Sequence, residues 1–168
     1  DTSADAYLLL KFDGNSTEEI EKDYDGVAKI CLEHGAIDVL ISDTDERSDS
    51  LWKARGAFLE AIKGSTTYMD EVDVVVPRSR VNMMIEYIHS LEQEVEIRIK
   101  SFGHAGDGNL HAYILRDQLS QKDWDVRSAR VMELIYQRAE EMEGRVSGEH
   151  GIGYAKKGYF RQSEPAVN

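Results

Sequence analysis

Cysteine is almost absent from this chain of 168 residues; Cys31 is the only one. A lone thiol excludes an internal disulfide framework and a cysteine-rich zinc module, and it fits a reducing, cytoplasmic setting. Proline is nearly as scarce, with only Pro77 and Pro165, so there is no proline-rich linker. Long hydrophobic runs are missing too. Tyr7-Leu8-Leu9-Leu10 and Val74-Val75-Val76 are among the longest, far short of the roughly 20 apolar residues of a membrane-spanning helix. Positive charge is in deficit: Lys plus Arg is 20 against 32 for Asp plus Glu, a formal net charge of -12. Such a surface repels phosphate backbones and anionic lipid, which ranks nucleic-acid and membrane-surface binding low. The opening Asp1-Thr2-Ser3-Ala4-Asp5 has neither the basic nor the apolar region of a signal peptide. It also lacks an initiator Met, so a piece of a longer chain is expected. What is present, 41% hydrophobic and 31% charged residues, describes a globular chain long enough for one ordinary domain or two small subdomains sharing a core.

Short apolar runs alternate with amphipathic stretches. Ala6 to Phe12, closed by the turn signature Asp13-Gly14-Asn15, reads as a strand. Asn15-Ser16-Thr17-Glu18-Glu19 reads as a helix start. Ile20, Tyr24, Val27, Ile30 and Cys31 then form one helical face, ended by His34-Gly35. Ile37 to Ile41 reads as a second strand, and about Arg47 to Ile62 as a helix. Asp70 to Val76, closed by Pro77, is β-branched and strand-like. Ser79 is placed as the cap of a helix to about Leu91, with Val81, Met84, Ile85 and Ile88 on one face. Val95, Ile97 and Ile99 alternate with the period of two of a half-exposed strand. Leu110 to Leu115 is a strand. Ser120 to Met142 is a long helix burying Trp124, Val131, Leu134, Ile135 and Met142, and a short helix follows Gly153. The order implies an α+β fold, a mostly antiparallel sheet with helices packed on one face. Its first part resembles half of a ferredoxin-like split βαβ unit. The whole of 1–168 is read as one domain.

Chemistry concentrates in two glycine-rich segments, which hold His104, His111 and His150, three of the five histidines. His34 and His89 fall near predicted helix ends and read as surface residues. His104 and His111 are seven apart. In one continuous strand they would point to opposite faces, roughly 23 Å apart at about 3.3 Å per residue. Gly106-Asp107-Gly108-Asn109 lets the chain reverse instead, which brings the imidazoles near each other. The segment reads equally as a β-hairpin turn with two incidental histidines. The second segment is Ser147-Gly148-Glu149-His150-Gly151-Ile152-Gly153. On an extended backbone Glu149 and His150 would point in opposite directions, one to an ion and the other to a second cavity. Two histidines and a carboxylate suit a divalent metal with open positions. A solvent loop leading into a helix is the alternative. Neither segment matches a phosphate-cradling loop or a dinucleotide fingerprint.

Taken together, His104-Ala105-Gly106-Asp107-Gly108-Asn109-Leu110-His111 and Ser147 to Gly153 resemble the C-terminal domain of FAD-linked oxidases. This is the D-lactate dehydrogenase and glycolate oxidase FAD-subunit type, in the vanillyl-alcohol-oxidase-like superfamily. Leu51-Trp52-Lys53-Ala54-Arg55, Asp73-Val74-Val75-Val76-Pro77 and Tyr154 to Phe160 add to the likeness. The resemblance implies a substrate cap of ferredoxin-like subdomains over a separate FAD-binding domain that precedes it. It implies His104, His111 and Glu149 as ligands of a divalent metal (zinc, iron or manganese), and His150 as the active-site base. Arg55 would contact the carboxylate of a small 2-hydroxy acid. The proton would leave the substrate hydroxyl, with hydride passing to FAD. Some members of the family carry a lysine where Glu71 falls, and others differ at Tyr113; Glu71 would repel a second substrate carboxylate, which favours a monocarboxylate such as lactate or glycolate. An electron-transfer partner subunit is a further implied partner, through which any membrane association would come. Arg145, Lys156 and Lys157 either add positive potential near the second segment or form a solvated helix end. Two other readings stand beside this one: a non-catalytic, metal-stabilised α+β module docking onto a partner flavoprotein, and an α+β interaction domain without metal.

Overall fold

A computed structural model describes residues 4, 6–154 and 156–163. The chain divides into two compact units, Asp1–Arg55 and Gly56–Asn168. The first carries α1 (Thr17–Glu33) and all but the last residue of α2 (Asp45–Gly56). The start of α1 is set by reciprocal capping. Ser16 Oγ accepts from Glu19 N at 3.2 Å, and Glu19 Oε2 accepts from Asn15 N at 3.1 Å.

The strands expected over Ala6–Phe12 and Ile37–Ile41 do not form; both segments are irregular. An apolar run becomes a strand only where a neighbour supplies the ladder, and the described residues of this unit contain no strand to pair with. Its apolar side chains stay exposed as a result, Tyr7 at 68% and Leu40 at 87%. The single helix expected from Arg47 to Ile62 is also corrected. It breaks after Gly56, and α3 (Phe58–Gly64) begins beyond Ala57. Glycine is a poor interior helix residue, and here it marks the end.

The second unit holds a four-stranded antiparallel sheet of β1 (Met69–Val75), β2 (Arg98–His104), β3 (Asn109–Leu115) and β4 (Arg145–Val146). Spatial order is β2-β3-β1-β4. With α4 (Val81–Glu94) joining β1 to β2 and α5 (Gln121–Glu141) joining β3 to β4, this is the βαββαβ chain path of a ferredoxin-like unit. The α+β reading therefore holds, but the ferredoxin-like element occupies the second unit and not the first part of the chain. β4 was not foreseen. It is only two residues long, too short to show any periodicity.

Strand alternation sorts the sheet into two faces. Val72, Val74, Ile99, Leu110, Ala112 and Ile114 share one face. They pack with Val81, Met84, Ile88 and Leu91 of α4 and Trp124, Val131 and Ile135 of α5 into one buried core. The expected stripe of α5 is buried as read, except that Leu134 is only partly covered. Ser120 caps α5, its side chain accepting from Asp123 N at 3.1 Å. Ser79 caps nothing. It lies in a 3₁₀ turn, Arg78–Arg80, and α4 starts at Val81 without a side-chain cap. The helix then runs on to Glu94, so the strand begins at Arg98 and not at Val95. α6 (Lys157–Ser163) closes the described chain. Among the described residues no helix is long and apolar enough to cross a membrane.

Candidate functional site

The sheet face turned away from α4 and α5 carries polar and aromatic side chains. Across β1 and β3 the register sets Glu71 beside Tyr113 and Asp73 beside His111. Across the β2–β3 hairpin it sets Phe102 beside His111 and His104 beside Asn109. The reversal at residues 105–108 therefore occurs, and it puts His104 and His111 on one face as diagonal neighbours. Gly108 permits it. Its φ is +76°, and a Cβ there would collide with the carbonyl oxygen of Val76. The same residue's carbonyl accepts from Val76 N at 2.9 Å, which ties the hairpin to the end of β1.

The second segment is held by Asp73, whose side chain is fully buried. Asp73 Oδ1 accepts from Gly148 N at 2.9 Å, and Oδ2 accepts from His150 N at 2.9 Å and Glu149 N at 3.3 Å. Ser147 Oγ donates to Oδ2 at 2.8 Å, and Lys156 Nζ lies 3.3 Å from the same oxygen. Burial by itself would raise the carboxyl's pKa. The backbone donors of His150 and Gly148, the Ser147 hydroxyl and the Lys156 ammonium overcome it and hold the group well below the usual carboxylate range. Three successive N–H groups pointing at one carboxylate form an anion-binding nest. The loop is entered through Ser147 at φ +81°, a conformation that a non-glycine residue adopts only when its surroundings impose it.

This nest corrects the expectation that Glu149 and His150 point apart. That alternation belongs to an extended backbone, and the loop curls around Asp73 instead. Both side chains reach the same cluster. Glu149 Oε1 lies 2.8 Å from His111 Nε2 and 3.7 Å from His150 Nε2. On the opposite edge, Glu71 Oε1 lies 2.9 Å from His111 Nδ1 and 3.0 Å from His150 Nδ1. Tyr113 OH donates to Glu71 Oε1 at 3.2 Å. The two rings sit 4.7 Å apart, inclined by 30°. Phe102 stacks on Tyr113 at 5.1 Å beside them. Two imidazoles thus stand between two carboxylates, with His111 almost wholly buried.

Two carboxylate oxygens can approach both nitrogens of one imidazole only if a proton or a cation lies on each side. The donor set therefore fits a divalent ion of the kind that imidazole and carboxylate prefer. Ligand atoms of Glu71, His111 and His150 all fall within 4.8 Å of one another. The buried Asn109 Oδ1, with no hydrogen-bond partner, lies where a Cβ on Gly148 would strike it.

Of the residues read from the sequence, His111, Glu149 and His150 are brought together. His104 stands at the exposed end of β2 on the same face and is not among the three converging ligand groups. Arg55 is half-buried in the last turn of α2, in the first unit. His34 and His89 are exposed, as expected. Lys156 is 13% exposed and bonded to Asp73, which excludes the solvated helix end; Arg145 and Lys157 are exposed. The sequence reading missed Asp73 as the anchor of the loop. Its signal was an acid inside Val72-Asp73-Val74-Val75-Val76, a run that otherwise reads as buried strand.

The chain belongs to the family described as FAD linked oxidases, C-terminal domain, which matches it over residues 1–168. It is 45% identical over 162 residues to a D-lactate dehydrogenase of Anaerostipes hadrus, covering 96% of this chain and 34% of that protein. It is 36% identical over 161 residues to glycolate oxidase subunit GlcD of Bacillus subtilis, covering 95% and 33%. A D-2-hydroxyglutarate dehydrogenase of Stutzerimonas stutzeri is 29% identical over 167 residues, covering 97% and 35%. The chain thus spans about a third of the length of these curated relatives.

Proposed function

We propose that this chain is the substrate- and metal-binding part of an FAD-dependent 2-hydroxy-acid dehydrogenase of the D-lactate or glycolate type. The observation that carries the proposal is the imidazole pair, His111 and His150, set between Glu71 and Glu149 on a loop locked to Asp73. The similarity to the D-lactate dehydrogenase and the glycolate oxidase subunit supports the substrate class.

In this reading His111 and Glu149, with His104, hold the ion, and Arg55 pairs with the substrate carboxylate through its planar fork. His150 accepts the hydroxyl proton at Nε2. When bound, the ion supplies positive charge opposite the charge developing at the substrate oxygen, and FAD, held outside this chain, supplies the hydride acceptor. Phe102 and Tyr113 line the sheet beside the imidazoles and keep water from that side.

The test is metal analysis and turnover of the intact protein with D-lactate and glycolate. About one equivalent of a transition metal is expected, lost in His111→Ala together with activity. An intact protein free of metal and fully active would refute the assignment.

Glu71 also bears on substrate choice. Its carboxylate faces the imidazole pair, and a second carboxylate on the substrate would meet a like charge there. We expect kcat/KM for D-lactate to exceed that for D-2-hydroxyglutarate by about tenfold or more, the equivalent of about 1.4 kcal/mol. Equal values would sink this part of the reading.

A further inference from the structure

We propose that Glu71 is a positioning residue that fixes which edge of the His111 imidazole takes the ion. The inference rests on the function proposed above. Glu71 Oε1 faces the Nδ1 atoms of both His111 and His150, at 2.9 and 3.0 Å. The His111 contact is a hydrogen bond and a carboxylate only accepts, so His111 presents Nδ1–H to it; His150 Nδ1 meets the same oxygen as an ion-pair contact. A neutral imidazole has one N–H, and committing it to Nδ1 leaves the lone pair on Nε2. His111 Nε2 then looks toward Glu149 at 2.8 Å. One edge of that ring is for orientation and the opposite edge is for the ion.

The assignment of edges follows from how the two acids are mounted. Glu71 sits within β1, paired with Tyr113, and receives that residue's hydroxyl at 3.2 Å. Its side chain is 31% exposed against 48% for Glu149. A strand-mounted, hydrogen-bonded carboxylate is the fixed reference, whereas Glu149 rides on a loop. A histidine that ligates a metal commonly donates its other ring N–H to such a carboxylate, which orients the ring and raises its basicity.

Histidine-selective ¹⁵N NMR on the intact protein reads the protonated nitrogen directly, and competition with a chelator reads zinc affinity. In the parent, His111 is expected to carry a proton on Nδ1 with and without zinc. Glu71→Gln keeps an acceptor oxygen and should keep the Nδ1–H pattern, with less than about tenfold loss of zinc affinity. Glu71→Leu should lose the pattern and weaken zinc binding by about 10–100-fold. Nδ1 found unprotonated in the parent would overturn the proposal. So would a Gln variant that loses zinc as completely as the Leu variant, because Glu71 would then be a ligand itself. If the parent binds no zinc, the metal reading fails, while the ring protonation still decides the role of Glu71.

Discussion

Replacing Asp73 with alanine is expected to lower the melting temperature of the domain by about 10 °C. The carboxylate takes hydrogen bonds from three backbone N–H groups and the Ser147 hydroxyl, and it neutralises Lys156. Alanine would orphan all of these at once and leave an ammonium 13% exposed without its counter-charge. Removing one partner of a buried, hydrogen-bonded ion pair costs about 3–5 kcal/mol. In a domain of this size each kcal/mol lowers the melting temperature by about 2–4 °C. Asp73→Asn should fall between parent and alanine, since its amide keeps one acceptor oxygen but turns a donor toward other donors. Adding Lys156→Met to Asp73→Asn should recover part of the loss. The dependence on pH has a definite sign. The folded carboxyl titrates below its ordinary value, so its contribution is complete above about pH 4 and is lost as the pH falls through the folded value. Scanning calorimetry at neutral pH is the check. A shift of less than about 2 °C for Asp73→Ala would mean that the loop is held by something other than this nest.

The helices of the second unit were legible because packing obeys the period that the sequence displays. Val81, Met84 and Ile88 recur at helical spacing and are buried together. Three of that unit's four strands were legible for the same reason, β4 being too short to show a period, and the glycine-rich turn declared its own reversal. The first unit misled because Ala6–Phe12 and Ile37–Ile41 are apolar without a ladder to join. Periodicity reports what a segment would bury, and it is silent on whether a partner edge exists. At the site, the sequence supplied the histidines and Glu149 through their unusual setting among glycines. It did not supply Asp73, because a buried acid bonded to a loop some 75 residues away leaves no local pattern. Glu71 was read only as a charge facing substrate. Its contact with both imidazoles depends on the register of β1 against β3, which fixes Glu71 beside Tyr113 and two positions from His111.

Substituting His150 separates catalysis from metal binding. Its Nδ1 lies 3.0 Å from Glu71 Oε1, while its Nε2 lies 3.7 Å from Glu149, beyond a hydrogen bond. That leaves Nε2 the one ring nitrogen of the pair not engaged at close range. His111, in contrast, has both nitrogens within 2.9 Å of carboxylate oxygens and has no free edge for a substrate proton. Loss of a positioned general base typically costs about 10²–10⁴-fold in rate. His150→Gln in the intact protein is therefore expected to lower kcat by that factor while retaining the metal, whereas His111→Ala loses both. Glutamine preserves the backbone N–H that Asp73 binds, so the loop stays in place and a kinetic defect cannot be blamed on its collapse. Turnover within about threefold of the parent would remove His150 from the chemistry and favour the non-catalytic metal module, with the proton taken elsewhere.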